Sequence, residues 1–106
     1  MTWNEKIIAA HLVVTDQVSH WERLKSDRYF VWQEDGANDF VAAGQHCEKA
    51  VTGTTDLYTK LEFDPWVEAF EAALDAAPDI VWDRNSIQHE DDTGFTHYEW
   101  VWEVLA

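Results

Sequence analysis

The stretch Tyr98-Glu99-Trp100-Val101-Trp102-Glu103-Val104 decides the fold class, because large apolar residues recur in it at every second position. These apolar positions are Tyr98, Trp100, Trp102 and Val104. Successive side chains of a strand point to opposite faces, so the spacing predicts a strand with these four on one face. Glu99 and Glu103 fall on the other face, which indicates a sheet with one face towards water.

Three segments upstream are also rich in strand-forming residues: Tyr29–Trp32, Lys49–Phe63 and Ile80–Ile87. Asp35-Gly36 predicts a turn after the first of them, and Phe40–Ala42 is either a short strand or part of a hairpin. In the second segment, the apolar residues of one parity are Val51, Leu57, Leu61 and Phe63, which we expect to face one side. Gly53 within it indicates a bulge or a close neighbour.

Two segments have the pattern of a helix. In residues 4–25, apolar residues recur at spacings of three or four, which predicts one amphipathic helix. They are Ile7, Ala10 or His11, Val14, Val18 and Trp21. Asp64-Pro65 predicts the start of a second helix, because the Asp side chain accepts from first-turn amides and Pro is favoured at the first helical position. This helix runs to about Ala77, and Pro78 ends it.

The order of elements is therefore helix, two or three strands, helix and two strands, or α-β-β(-β)-α-β-β. We expect one α+β domain over residues 1–106, with a mainly antiparallel sheet and two helices packed on one face. An apolar content of 46% and an aromatic content of 14% exclude intrinsic disorder. Core packing is the expected role of six tryptophans: Trp21, Trp32, Trp66, Trp82, Trp100 and Trp102.

The charge of the chain is strongly negative and unevenly distributed. Seven basic residues stand against 21 acidic ones, for a net charge of −14. This balance disfavours direct binding to nucleic-acid phosphates or to an anionic membrane. Residues 1–28 are neutral overall, so the rest of the chain carries the whole charge. No basic region followed by an apolar stretch opens the chain, and the single cysteine, Cys47, allows no internal disulfide, so we expect a cytoplasmic protein.

Few side chains suggest chemistry. The best metal-like set is His89-Glu90-Asp91-Asp92 with His97 and Glu99, because a divalent cation accepts imidazole with carboxylates. A solvated acidic hairpin tip explains the same residues more simply. An acid–base group of Glu34, Asp35 and His46 would need burial to tune its pKa values, and a solvated turn is the better interpretation.

Three stretches resemble small tail components of tailed bacteriophages and prophages. They are His46–Lys60 (HCEKAVTGTTDLYTK) followed by Asp64-Pro65, Ser86–Val104 (SIQHEDDTGFTHYEWVWEV), and the apolar strand Tyr29–Trp32 followed by Glu34-Asp35-Gly36. The similarity spans about 80 residues of the chain and agrees with the predicted order of elements. These proteins are grouped with minor tail and tail-terminator, or tail-completion, proteins.

The resemblance implies a structural protein, with no catalytic residues and no cofactor or metal. Tail terminators form a hexameric ring that caps the tail tube, so a tail-tube protein, a head-completion protein and further copies of this chain are the implied partners. The protein would act in the host cytoplasm and then in the virion tail. We expect basic residues of one subunit to face acidic residues of the next. The basic set is Arg23, Lys25 and Arg28, and the acidic set is Glu34, Asp35 and Asp39 or Glu90, Asp91 and Asp92.

Two other functions fit the sequence. The first is an acidic stand-alone binding module, an inhibitor or DNA mimic, that acts on a basic partner. The second is an enzyme that uses the His89–Glu99 region with a metal ion; metal-dependent stabilisation would be its signature. A ring-forming subunit would form oligomers, whereas a mimic would stay monomeric or dimeric.

Overall fold

The computed structural model describes the backbone of residues 1–42 and 45–105, and the side chains of residues 1–37 and 50–105. Its elements are α1 (Trp3–Leu12), β1 (Val18–His20), β2 (Arg28–Ala42), β3 (Gln45–Thr59), α2 (Trp66–Ala76), β4 (Ile80–His89) and β5 (Thr96–Leu105). The five strands form one sheet in the order β1-β2-β3-β5-β4. β1 runs parallel to β2, and the other three pairs are antiparallel. The α+β prediction with a mainly antiparallel sheet is confirmed.

The core lies between the two helices and one face of the sheet. Four β5 side chains point into it, as the alternation predicts: Tyr98, Trp100, Trp102 and Val104. Ile7 of α1 and Phe70 of α2 meet them from the other side, and both are fully buried. Burial of each such side chain stabilises the fold by about 2–3 kcal/mol. Among the described residues, neither helix is long and apolar enough to cross a membrane.

A chain of polar groups crosses this core. Trp102 Nε1 donates to Thr55 Oγ1 at 2.9 Å, and Thr55 Oγ1 lies 3.0 Å from His11 Nε2. His11 Nδ1 lies 2.7 Å from the Ile7 carbonyl oxygen. Each of these polar groups has a hydrogen-bond partner when the His11 ring is neutral and carries its proton on Nδ1. Nε2 then accepts from the Thr55 hydroxyl. Burial lowers the pKa of His11 to about 4, which keeps the ring neutral at pH 7.

The first helix is much shorter than the prediction of residues 4–25. It ends at Leu12, and the amides of Val14 and Thr15 both bond the His11 carbonyl oxygen in a tightened last turn. Three β-branched residues in succession, residues 13–15, disfavour further helix. Val18–His20 then pairs with β2, where it completes backbone hydrogen bonds that a helix would leave unmade. Trp21 follows at φ 74° and is 64% exposed, so its predicted place in the core is wrong.

The predicted turn at Asp35-Gly36 is wrong as well. β2 continues through both residues to Ala42, so the predicted strand at Phe40–Ala42 is part of β2. The register shifts between Glu34 and Gly36, which makes Asp35 the extra residue of a β-bulge. Gly53 lies opposite Glu34, and a Cβ there would overlap the Trp102 ring, which confirms a close neighbour.

The second helix begins as predicted. Asp64 Oδ1 accepts from the backbone nitrogen of Trp66 at 2.8 Å, and the helix ends at Ala76, two residues before Pro78. β3 ends earlier than expected, at Thr59. Leu61 and Phe63 therefore lie in the connection to α2, and Phe63 is 86% exposed. Their predicted place on the face of β3 is wrong because the chain leaves the sheet before it reaches them.

Candidate functional site

A hairpin arm projects from one end of the sheet. β3 pairs with β5 only from Ala50 to Thr59, so Gln45–Lys49 extends beyond β5. β1 covers β2 only over Phe30–Trp32. Within the described backbone, 39–42 and 45–49 pair only with each other. Five strand residues extend about 17 Å, and the molecule as a whole measures 51 × 23 × 22 Å.

An arm of this kind lacks the support that strands normally have. A two-stranded hairpin by itself is at best marginally stable in water, because it has no further strand or helix against which to bury a face. Both of its edges also present backbone N–H and C=O groups that a further chain can pair with. The arm is therefore suited to contact with another molecule.

The sheet face opposite the helices carries a concentration of acidic side chains. The register places Asp56 directly opposite Glu99, Asp83 opposite Val101, and Glu103 opposite Thr52. Thr52 Oγ1 also donates to Asp35 Oδ1 at 2.8 Å, which places this carboxylate at the same surface. We call the surface formed by these side chains the open face. Five carboxylates lie on it: Asp35, Asp56, Asp83, Glu99 and Glu103.

Most of the basic residues with described side chains are paired within the chain. Four of them form ion pairs: Lys6 with Asp79, Arg28 with Asp64, Lys60 with Asp27, and Arg84 with Glu71. Arg23 lies over the Tyr58 ring, 4.9 Å from its centroid. Lys25 is exposed and forms no ion pair with any side chain of residues 1–37 or 50–105. Arg23 and Lys25 are thus the predicted interface bases that remain open to a partner.

Arg28 has a structural role within its own chain. Its Nε donates to Asp64 Oδ2 at 2.9 Å, and its guanidinium lies 3.7 Å from the centroid of the Trp66 ring. Thr59 Oγ1 donates to the same carboxylate at 2.7 Å. Burial raises the pKa of Asp64, but the bonds from Arg28, Thr59 and the Trp66 amide outweigh it and bring the pKa below its usual value. The ion pair therefore fixes β2 to the start of α2.

The acidic residues predicted for the interface lie at two different places. Glu34 sits on β2 and accepts from His20 Nε2 at 2.7 Å and Trp21 Nε1 at 2.9 Å, and the bond from His20 is the main cause of its lowered pKa. Asp35 is the bulge residue. The side chain of Asp39, like that of His46, lies outside the described residues.

Glu90, Asp91 and Asp92 occupy the loop between β4 and β5, at the end of the sheet opposite the arm. Arg23 is found at the same end. Burial raises the pKa of Tyr29, and the charges of both Arg23 and Glu90 act on its hydroxyl. The structure thus brings Arg23 and Glu90 near one hydroxyl within the same chain, while Glu34 and Asp35 lie elsewhere, on β2.

The metal-like set predicted around His89 and His97 is divided between the two faces of the sheet. His89 pairs with Thr96, and Gln88 pairs with His97, so the two imidazoles are on opposite faces. His97 and Glu99 instead share the open face with Asp56. The sequence separation of 41 residues between Asp56 and His97 leaves no local pattern that would have identified this neighbour.

A second group that the sequence did not reveal lies at the β1 edge. The His20 ring is stacked between Trp21, at 4.1 Å between ring centroids, and Trp32, at 4.0 Å. Glu34 bonds both His20 and Trp21 from the side. Trp21 joins this stack with its backbone in the left-handed region, at φ 74°.

No protein-family model matches the chain, and no curated protein matches it.

Proposed function

We propose that this chain is a structural subunit of a phage tail, a terminator that self-associates into a ring, caps the tail tube and joins it to the head. The observation that carries the proposal is the hairpin arm. Backbone 39–42 and 45–49 forms paired strands with no third element beside them in the described structure. A neighbouring subunit would supply the missing support, and the cost of holding the arm extended is then offset by assembly.

The two ends of the molecule suit a head-to-tail arrangement. A ring needs two different surfaces on each subunit, since one patch contacts a different patch on the next copy. The arm lies at one end, and Arg23 lies at the other, close to the Glu90 loop. Two acidic residues of β2 that precede the arm, Glu34 and Asp35, carry charge opposite to that of Arg23 and Lys25. Arg28 is left out of this contact, because its charge is neutralised by Asp64.

The open face supports a role beside DNA. Five carboxylates on one sheet surface repel phosphate groups, so a ring with this face towards its lumen would let DNA pass without binding it. The same charge opposes ring closure at low ionic strength. Assembly should therefore strengthen when salt or a divalent cation screens the repulsion.

The test is the molar mass by light scattering as protein concentration rises, in low salt, in high salt and with magnesium. The wild type should reach a closed oligomer of about six subunits under screening conditions. In a matched variant, residues 39–49 are replaced by Asn-Gly, so that Asn38 and Ala50, which are paired neighbours, flank a two-residue turn. This variant should stay monomeric. A second variant, Arg23→Glu with Lys25→Glu, should assemble more weakly.

Urea unfolding provides the control, because the arm-replaced chain must remain folded for the comparison to hold. A wild type that is monomeric in every condition would contradict the proposal. An arm-replaced chain that assembles as well as the wild type would show that assembly does not depend on the arm.

The acidic open face favours one other candidate, a binding module that presents carboxylates to a basic partner. A monomeric or dimeric wild type that binds a basic protein tightly, with an affinity that falls steeply with salt, would support it. Asp83→Asn with Glu103→Gln would then weaken binding without changing molar mass.

A further inference from the structure

Three potential metal ligands meet on the open face: Asp56, His97 and Glu99. Their ligand atoms all lie within 4.8 Å of one another. His97 Nε2 is 2.7 Å from Asp56 Oδ1, and the side chains of this pair are each only 19% exposed. The arrangement is therefore sheltered, and a small buried cluster of Tyr29, Val31 and Tyr58 lies beside it on the same face.

Two of the three side chains, His97 and Glu99, are held in place by neighbours outside the group. The His97 ring stacks on Tyr58 at 4.4 Å between centroids and an interplanar angle of 14°. Asn85 Nδ2 donates to Glu99 Oε1 at 2.7 Å. The backbones belong to the paired strands β3 and β5, inside the sheet rather than on a loop. Sites on rigid elements with supporting contacts of this kind are positioned well enough to bind an ion.

The charges of the group favour a cation. Asp56 and Glu99 are direct cross-strand partners, and like charges at such positions destabilise a sheet. The chain around them carries a net charge of −14. An ion between the two carboxylates would remove this repulsion. The imidazole beside them decides which kind of ion, because it suits zinc, nickel and copper, whereas magnesium and calcium prefer oxygen ligands alone.

We propose that Asp56, His97 and Glu99 bind one divalent transition-metal ion of the zinc class. The His97 ring carries its proton on Nδ1, and the lone pair of Nε2 is donated to the metal. One oxygen of each carboxylate completes a three-ligand set, and water fills the remaining position of a tetrahedral ion. The direct contact between His97 and Asp56 is replaced by two bonds to the same ion.

Calorimetric titration of the untagged full chain with zinc chloride at pH 7.5 tests the site. The wild type should bind one equivalent. His97→Gln, Asp56→Asn and Glu99→Gln should each weaken binding by about 10-fold or more, since even the loss of a supporting contact weakens metal sites by 10–100-fold. His89→Gln, on the opposite face of the same hairpin, and Asp83→Asn, elsewhere on the open face, are matched controls and should bind as the wild type does.

Two results would overturn the site. One is the absence of binding by the folded wild type. The other is binding whose affinity is unchanged in His97→Gln but reduced in His89→Gln, which would place the ion in the β4–β5 loop. The NMR signals of the imidazole rings give a second readout: zinc should shift the His97 ring signals and leave those of His89 in place. Urea unfolding of each variant separates loss of the site from loss of the fold.

Discussion

The buried His11 ring makes stability depend on pH in a way that can be calculated. Burial holds its pKa at about 4 in the folded state, against 6.5 for an exposed imidazole. As pH falls below 6.5, His11 becomes protonated in the unfolded chain, whereas in the folded chain it stays neutral until the pH approaches 4. The stability that this group contributes is complete above pH 6.5 and is lost between pH 6.5 and pH 4.

The size of the effect follows from the two pKa values. Between pH 7.5 and pH 5.0, the free energy of unfolding should fall by about 2 kcal/mol through His11 alone. The pKa values of four carboxyl groups are also lowered, and these groups contribute in a different range: Glu5, Glu34, Asp64 and Glu71. Their contribution is present above the usual carboxyl pKa and is lost as pH falls below about 4.5. The change in the free energy of unfolding between pH 7.5 and pH 5.0 therefore comes from histidine protonation rather than from these carboxyl groups.

Urea unfolding at 25 °C, followed by the fluorescence of the tryptophans, measures this dependence. His11→Gln is the comparison, because its amide is uncharged at every pH and still offers a donor and an acceptor. The comparison does not depend on how much the substitution itself lowers the free energy of unfolding at pH 7.5. Between pH 7.5 and pH 5.0, this free energy should fall by about 2 kcal/mol more in the wild type than in the variant. Parallel pH profiles for the two proteins would refute the buried neutral ring.

Two further substitutions test contacts that hold the sheet and helices together. Arg28→Ala leaves the Asp64 carboxylate, whose side chain is fully buried, without its cation, and should lower the free energy of unfolding by about 3 kcal/mol in urea titrations. Lys60→Ala is its control, because the pair with Asp27 is exposed and should be worth less than about 1 kcal/mol. Gly53→Ala should destabilise by about 1–3 kcal/mol, since the new Cβ overlaps the Trp102 ring; a thermal midpoint equal to that of the wild type would be inconsistent with this packing.

The sequence predicted the elements whose pattern is local. Alternation in β5 and the Asp64-Pro65 start of α2 depend on neighbouring residues, and both were confirmed. The turn predicted at Asp35-Gly36 was wrong because the same pair of residues is also compatible with a β-bulge. Only the pairing with the partner strand distinguishes a bulge from a turn. The core position predicted for Trp21 was wrong because its spacing continues the apolar pattern of α1. The backbone just before it instead pairs with the edge of β2.

The candidate site was less accessible from sequence. Asp56 and Glu99 meet through strand pairing across more than forty residues, and the arm exists because β2 and β3 are each longer than β5. Both the Asp56–Glu99 pair and the arm depend on the strand register of the whole sheet, which no local sequence pattern specifies. The partner of Arg28 within the chain could not be predicted for the same reason, since Asp64 lies 36 residues away.

Whether the arm gains a partner on assembly is most directly measured by amide hydrogen exchange. Peptides that cover residues 37–50 would be compared in dilute low-salt protein and in concentrated, magnesium-containing protein. The assembly account predicts that exchange in these peptides slows at least about 10-fold in the concentrated sample, because a neighbouring subunit covers the exposed backbone edges. Peptides from β5, which is paired on both sides, should change little. Equal exchange in the arm under both conditions would contradict its role in assembly.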